Sequence, residues 1–170
     1  AMNQWTWVDD MVLVDDPNSV EDATVVVGRA NIVGAVIAKM PGSFINSLDT
    51  AFGASSGYTA TDFGQSFAQF KAVTARPGGG FVAVGQVCGS SCGMSVAAFT
   101  ADGMPDVSFN SPSGEFAYNF GTTAIAYAVV PQGGGVFVAG HAASATKTET
   151  DMFAIKLRID SIFADGFELQ

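Results

Sequence analysis

The chain has 170 residues, of which 48% are hydrophobic and only 14% are charged, and this composition excludes global disorder. The length allows one domain with a sizeable core. The formal net charge of −9 indicates an acidic surface that repels nucleic-acid phosphates and anionic lipids, so neither is expected as a partner. The apolar runs fall short of the roughly 20 residues that a membrane-spanning helix needs, so membrane insertion is not expected.

The amino-terminal part of the chain is acidic and predicts four short strands. It carries no Lys or Arg before Arg29. Apolar or alternating runs predict strands at 4–8, 11–14, 24–28 and 34–39. The turn residues between the second and third of these could supply oxygen ligands to Ca²⁺, although their spacing fits no EF-hand loop. The candidate ligands are Asp15, Asp16, Asn18 and Asp22. A solvated acidic turn is the alternative interpretation, and no other cofactor is expected.

The rest of the chain predicts two further sets of four strands. The first set lies at 58–63, 70–75, 80–86 and 95–100, and the second at 115–120, 125–130, 135–140 and 152–158. In both sets a run of three glycines precedes the third strand, which is typical of a hairpin turn. Because lysine and the other long helix-forming residues are sparse, long helices are not expected.

A sequence period near 55 residues runs through the chain. The glycines that end three of the predicted strands, Gly28, Gly85 and Gly140, lie 57 and 55 positions apart. An Asp-x-x-Phe motif recurs with spacings of 57 and 54 positions, beginning at Asp49, Asp106 and Asp160. Two independent marks that keep one period indicate a structural repeat.

Four strands per unit at this period are the signature of a propeller blade. The sequence therefore predicts an all-β protein with three propeller-like blades of four antiparallel strands each. The blades form a single repeat domain over 1–170, with boundaries near 3–53, 57–110 and 114–170. The motif aspartates are expected to accept backbone N–H bonds at the blade junctions. The motif phenylalanines are expected to pack between blades, and they are Phe52, Phe109 and Phe163.

Two cysteines, Cys88 and Cys92, flank a Gly/Ser loop between two predicted strands. A small disulfide is the favoured interpretation, and it would imply an oxidising compartment. Free thiols are the alternative. A metal or redox site is disfavoured because the chain has one histidine and the spacing is not Cys-x-x-Cys.

Nearly the whole chain resembles the delta-60 repeat family of predicted β-propellers, whose unit ends in Asp-Gly-x-x-Asp-x-x-Phe-Gly, and the match is weak before Val25. The matching segments are 47–53, 77–85 and 101–110. The turn aspartate of the family is replaced here by Gly78 and Gln132, and its final glycine by Asn110. The resemblance implies a propeller fold and a secreted or cell-envelope setting, and it implies no catalytic residues.

The ends of the chain add to the expectation of export. The segment 162–168 resembles the carboxyl-terminal ending of some exported proteins of Gram-negative bacteria. The chain begins with Ala1 and Met2, which fits either a mature amino terminus left by signal peptidase or a cloning remnant. The expected location is therefore the cell surface of, or the medium around, a Gram-negative bacterium.

No set of residues in the sequence predicts an enzyme. The Gly-x-Ser-x-Gly pattern at 53–57 lies between two predicted strands, whereas a nucleophile elbow needs a strand before it and a helix after it. His141 follows a predicted strand, and no orienting carboxylate or nucleophile can be assigned to it. A flexible turn and a surface histidine are the simpler interpretations.

The function expected from the sequence is a structural or interaction module that assembles with itself. Three blades leave one apolar face at each end of the array, and propellers close with 4–8 blades. Two chains would form a six-bladed ring, and a fibre is the second choice. The candidate assembly residues are Trp5, Trp7, Val8, Ile162, Phe163 and Phe167. The alternative is a module that binds carbohydrate or another small ligand by stacking on aromatic rings, with candidates Trp5, Trp7, Tyr58, Tyr118 and Tyr127.

Overall fold

The computed structural model describes residues 5–17, 20–31, 34–42, 47–120, 123–143 and 150–158. In these ranges the chain is all-β, as predicted, and it forms three antiparallel sheets. The strands are β1 Trp5–Val14, β2 Ala23–Ala30, β3 Gly34–Met40, β4 Tyr58–Thr61, β5 Phe67–Ala75, β6 Phe81–Cys88, β7 Cys92–Phe99, β8 Glu115–Tyr118, β9 Thr123–Gln132, β10 Gly135–Ala143 and β11 Thr150–Arg158. The described residues include no helix that is both long and apolar enough to cross a membrane.

The three sheets follow one another along the chain. The first sheet has the order β1-β2-β3-β4 and the second β5-β6-β7-β8, while the third has three strands in the order β9-β10-β11. The predicted strands at 4–8 and 11–14 are one strand, β1, because a bulge at Asp9 takes up the break in their alternation. The third sheet has no fourth strand within the described residues, whereas the sequence predicted four strands in each unit.

The fourth strands differ from the predicted repeat boundaries. β4 and β8 were expected to open the second and third repeats, but β4 pairs with β3 and β8 with β7. Each therefore completes the sheet that precedes it. The cause is the junction turn before each strand, Gly53–Gly57 or Asn110–Gly114, which returns the chain to the same sheet. Both turns end on a buried glycine with positive φ, a conformation that other residues rarely adopt.

The repeat glycines occupy equivalent places, each on the second strand of its sheet. Gly28, Gly85 and Gly140 lie opposite a β-bulge in the first strand. A Cβ atom at any of the three would overlap a backbone oxygen of that first strand. The extra residues in the bulges are Asp9, Lys71 and Tyr127. The close approach of backbone to backbone explains why the repeat places glycine here.

The second sheet lies between the other two, and each of its faces forms a core. Along β6, Phe81 and Ala83 pack towards the first sheet, while Val82 and Val84 pack towards the third. This alternation is the period of two that a strand imposes on its side chains. A strand with both faces buried is nearly continuously apolar, and β6 is buried over five consecutive residues from Phe81.

The motif phenylalanines fill the spaces between sheets. Phe52 is buried in the core shared by the first and second sheets, with its ring centroid 6.0 Å from that of Phe81. Phe109 is buried in the core shared by the second and third sheets. The third phenylalanine, Phe163, lies outside the described residues.

Candidate functional site

The exposed large hydrophobic side chains lie mainly on the first strand of the chain and on the third sheet. On β1 they are Trp7, Val8, Met11 and Leu13, and on the third sheet they are Tyr127, Val130, Phe137 and Met152. The remaining three lie outside the strands, at Val20, Met104 and Val107. Within the described residues, the strands of the central sheet expose none. Exposed apolar surface therefore marks the two ends of the three-sheet array.

The outer face of the third sheet is formed by Val130, Phe137, Ala139, Met152 and Ala154. The repeat shows what the same face does in the other sheets. Counting from the repeat glycines, Phe137 corresponds to Val82 of the second sheet. Val82 is 1% exposed because it packs on the third sheet, whereas Phe137 is 38% exposed.

Methionine occupies one position of this face in both the second and the third sheets. Met94 of β7 and Met152 of β11 stand at the same distance from the repeat glycine of the neighbouring strand. Met94 is 0% exposed between sheets, and Met152 is 93% exposed. The outer face therefore has the composition of a buried sheet-to-sheet contact, without a sheet against it in the described part of the chain.

At the opposite end of the array, the large hydrophobic side chains that are exposed in the described strands lie on β1. Met11 and Leu13 point away from the second sheet, because Val12 and Val14 pack towards it. Met11 is 64% exposed, while its counterpart in the second sheet, Val73, is 7% exposed. Other apolar residues on this face of the first sheet, Val26, Val36 and Ala38, are already buried.

The contact between β1 and β5 shows how the first strands of adjacent sheets join. The carboxylate of Asp9, the bulge residue of β1, accepts a hydrogen bond from Nε2 of Gln69 at 2.7 Å and pairs with Nζ of Lys71 at 2.8 Å. The neighbouring Asp10 accepts a hydrogen bond from the backbone N–H of Val73 at 2.9 Å. The two bulge residues Asp9 and Lys71 thus pair directly between the first and second sheets. The corresponding bulge residue of the third sheet, Tyr127, is exposed.

The two ends of the array carry opposite charges. Along the exposed side of β11, Lys156 and Arg158 follow Met152 and Ala154 at the strand period of two. Lys156 also lies over the ring of Phe137, with Nζ 5.9 Å from the ring centroid. The chain has six acidic residues and no basic one before Arg29. Two of them, Asp9 and Asp10, lie in β1 and contact the second sheet, and the other four, Asp15, Asp16, Glu21 and Asp22, follow β1. A basic edge thus borders one exposed face, and an acidic segment borders the other.

The motif aspartates stabilise the turns that end the third strands. Oδ1 of Asp49 accepts the backbone N–H of Ala51 at 3.0 Å, and Oδ1 of Asp106 accepts that of Ser108 at the same distance. The other oxygen of each carboxylate pairs with a cation, Lys39 at 2.9 Å for Asp49 and Arg76 at 2.6 Å for Asp106. Asp160 lies outside the described residues.

Asp106 is the better shielded of the two, and its pKa is lowered. Partial burial by itself raises the pKa of this carboxyl. The hydrogen bonds from Ser108 and Arg76, with the positive charge of Arg76, outweigh burial and hold the pKa below its ordinary value. The folded protein therefore stabilises the ionised form of Asp106 relative to the protonated form.

We expect Asp106→Asn to destabilise the protein by about 2 kcal/mol near pH 7, and by less as the pH falls. A carboxyl whose pKa is lower in the folded state stabilises above its unfolded pKa, and this contribution is lost as the pH falls through the folded value. Urea unfolding of both proteins between about pH 6 and pH 3 measures the difference, with the exposed Asp15→Asn as control. A penalty that stays constant over this range would show that the charge of Asp106 does not contribute.

Cys88 and Cys92 form a disulfide, as predicted, with their Sγ atoms 2.12 Å apart. The loop that it closes borders a cavity of about 280 Å³. The lining includes the rings of Phe63 and Tyr118 beside the polar side chains of Gln65 and Asn119.

The aromatic residues predicted to stack on sugars are not brought together. Tyr118 borders the cavity, while Tyr58 lies on β4 of the first sheet and Tyr127 on β9 of the third. The ring of Trp7 already contacts the guanidinium of Arg29, 5.5 Å from its centroid. The side chain of Trp5 lies outside the described residues. No platform of several aromatic rings is therefore assembled from the described members of this set.

The predicted assembly residues are described only in part. Trp7 and Val8 are exposed on β1. Ile162, Phe163, Phe167 and the side chain of Trp5 lie outside the described residues. The sequence did not single out the outer face of the third sheet. The signal that could have identified it was the register of Phe137 and Met152 against the buried residues of the preceding repeat.

The remaining candidates of the sequence do not converge on a reactive site. The pattern at 53–57 is a turn followed by β4, with Ser55 exposed at φ 71°. His141 lies on β10 next to Tyr127, with ring centroids 5.3 Å apart. Asp16 is buried and accepts a hydrogen bond from the backbone N–H of Gly42 at 3.1 Å. Asn18 lies outside the described residues, and those described contain no group of three or more His, Cys, Asp or Glu side chains placed to hold a metal ion.

Comparison with family models, with curated proteins and with solved structures finds no match to this chain. The resemblance to the delta-60 repeat family therefore stays a prediction.

Proposed function

We propose that this protein is a structural interaction module that assembles with copies of itself, sheet against sheet, through the outer face of its third sheet. The observation that carries the proposal is the contrast between Met94 and Met152. The same residue at the same repeat position is buried where a further sheet follows and 93% exposed where none does in the described chain. Because the outer face of the third sheet has the composition of a buried contact between sheets, we expect it to pack against another sheet.

The partner that the chain itself offers is the exposed strand β1 of a second copy. Sheets of one chain already stack in this order, with β1 beside β5 and β5 beside β9. A second copy would place its β1 beside β9, as the next member of the series. Lys156 and Arg158 would then approach the acidic amino-terminal segment of that copy, which favours this orientation by charge complementarity.

The proposed architecture is three propeller-like blades that are completed by oligomerisation. The stacking of successive four-stranded sheets with their first strands adjacent supports it. Two chains would give a ring of six blades, within the range of 4–8 that propellers use. A head-to-tail contact whose rotation does not close would give a fibre instead. Export is part of the proposal, and the Cys88–Cys92 disulfide supports it, because such bonds persist in oxidising compartments.

Light scattering at micromolar concentration tests the assembly. We expect a species of twice the 17.5 kDa chain mass, or larger. Met152→Asp and Phe137→Asp should weaken self-association about thirtyfold or more, because each places a charge in an apolar contact opposite acidic residues. Val107→Asp, at an exposed position in a turn, is the matched control and should leave association unchanged. A wild-type protein that stays monomeric would refute the proposal.

A further inference from the structure

The fourth strands of the first two sheets share a register and a sequence pattern. Ala60 of β4 lies opposite Val36, and Ala117 of β8 lies opposite Ser95. Both partners stand directly across from the repeat glycine of the second strand. The alanines are flanked by bulkier side chains, threonines in β4 and aromatic rings in β8, where Phe116 and Tyr118 pack on the core between the second and third sheets. A fourth strand in this protein is therefore a four-residue segment with alanine at its third position.

The equivalent edge of the third sheet belongs to β11. Phe153 lies across from Gly140, so it occupies the position of Val36 and Ser95. The residues that a fourth strand would pair with are then Met152 to Ile155. Within the described part of the chain, no strand pairs with this edge of β11.

The edge lacks the features that usually protect such strands from pairing. Residues 152–155 read Met-Phe-Ala-Ile and contain no proline, lysine or other charged residue. β11 pairs with β10 over its whole length without a register shift, so no bulge turns the edge away. Charged residues of β11 lie only on either side of this stretch, at Asp151, Lys156 and Arg158. A regular, apolar stretch of edge strand is one to which an extended peptide can add.

We infer that the edge of β11 at Met152–Ile155, which pairs with no other described strand, is a peptide-binding site. It takes a short extended segment of the β8 type from another chain by strand addition. The segment runs antiparallel to β11, with a small residue opposite Phe153. Bulky residues on either side of it lie opposite Met152 and Ala154. Their side chains would extend the outer face of the third sheet, as Phe116 and Tyr118 extend the equivalent face of the second.

A labelled peptide with the sequence of 110–120, added to the full-length protein, tests the site by fluorescence anisotropy. We expect saturable binding, and at least tenfold weaker binding of the same peptide with Ala117→Pro, because proline removes a donor of the strand ladder. The measurement is made in the Phe137→Asp variant as well. That variant weakens the proposed contact between sheets but leaves the backbone of β11 intact, so saturable peptide binding should persist in it.

Cross-linking fixes the register. In the Met152→Cys protein, a peptide with Tyr118→Cys whose thiol is activated as a thionitrobenzoate disulfide should form a mixed disulfide with release of thionitrobenzoate, since directly opposed residues have Cβ atoms about 5 Å apart. A peptide with Glu115→Cys, three residues away, should cross-link at least tenfold more slowly. Absence of saturable binding, or cross-linking at equal rates from both positions, would overturn the inference. Because binding is also measured in a variant whose assembly through the outer face is weakened, failure of self-association and failure of this site are separate results.

Discussion

Gly85→Ala is expected to destabilise the protein by about 3 kcal/mol or more, which is large for the addition of one methyl group. Gly85 has ordinary backbone dihedrals, so the cost is steric and not conformational. A Cβ atom there would overlap the backbone oxygen of Gln69 and come within 2.8 Å of Cα of Phe70. Both atoms belong to the main chain of β5, which cannot rotate away as a side chain can. β5 would have to leave its bulged register against β6, in a sheet that is buried on both faces.

The matched control is Gly89→Ala, in the disulfide loop. A Cβ atom at Gly89 would meet only the flexible end of the Gln65 side chain, which is exposed and can move. We expect a change within about 0.5 kcal/mol. Guanidinium unfolding of both variants gives the comparison. Equal stabilities for Gly85→Ala and Gly89→Ala would mean that the close approach of β5 to β6 is not a feature of the folded protein.

The sequence predicted the all-β class and the places of most strands because period and turn chemistry are local. A buried strand needs a run of apolar residues, and a tight turn needs glycine; both can be recognised without knowing the partner. The glycine period also pointed to equivalent backbone positions. It could not show why glycine is required, because the bulges opposite Gly28, Gly85 and Gly140 lie on another strand.

The strands β4 and β8 were assigned to the wrong sheet for a related reason. Each strand is four residues long and follows a turn. A sequence of four residues does not determine which neighbouring strand it pairs with. The junction turns decide it. Positive φ at Gly53 and Gly57 turns the chain so that β4 pairs with β3. The apolar pattern that predicted the strands contains no information on this turn geometry.

The sequence predicted exposed apolar ends of the repeat array, but it did not point to the outer face of the third sheet. Three units with apolar faces imply two open ends, and this much follows from the repeat alone. The sequence favoured aromatic residues near the termini as assembly candidates, because they are large and close to the ends of the repeat array. Phe137 and Met152 lie well inside the sequence, and their exposure depends on which face of their strand points outwards. The outward face is determined by the pairing register of β9, β10 and β11. This register cannot be read from the sequence alone.

Phe109→Ala is expected to cost about 3–5 kcal/mol, because the side chain is buried among residues of two sheets and its loss leaves a cavity. Phe52→Ala should cost a similar amount. Phe52 occupies the position of the first repeat that Phe109 occupies in the second, and its ring packs directly against Gly103. Both phenylalanines follow a motif aspartate by three residues, and each donates its backbone N–H to that aspartate's carbonyl at 2.9 Å. Equivalent local geometry with equivalent burial should give equivalent penalties.

The control for both is Val107→Ala, in the same Asp-x-x-Phe turn as Phe109 but exposed. We expect it to change stability by less than about 0.5 kcal/mol. Denaturant unfolding followed by far-UV circular dichroism and by tryptophan fluorescence reports on all three variants. If each phenylalanine holds two sheets together, its loss should also allow the sheets to unfold at different denaturant concentrations, seen as a broader transition or as probes that no longer coincide. A small loss of stability in Phe109→Ala together with a large loss in Phe52→Ala would mean that the two contacts between sheets differ in packing. The sequence repeat would then not correspond to a repeat in packing.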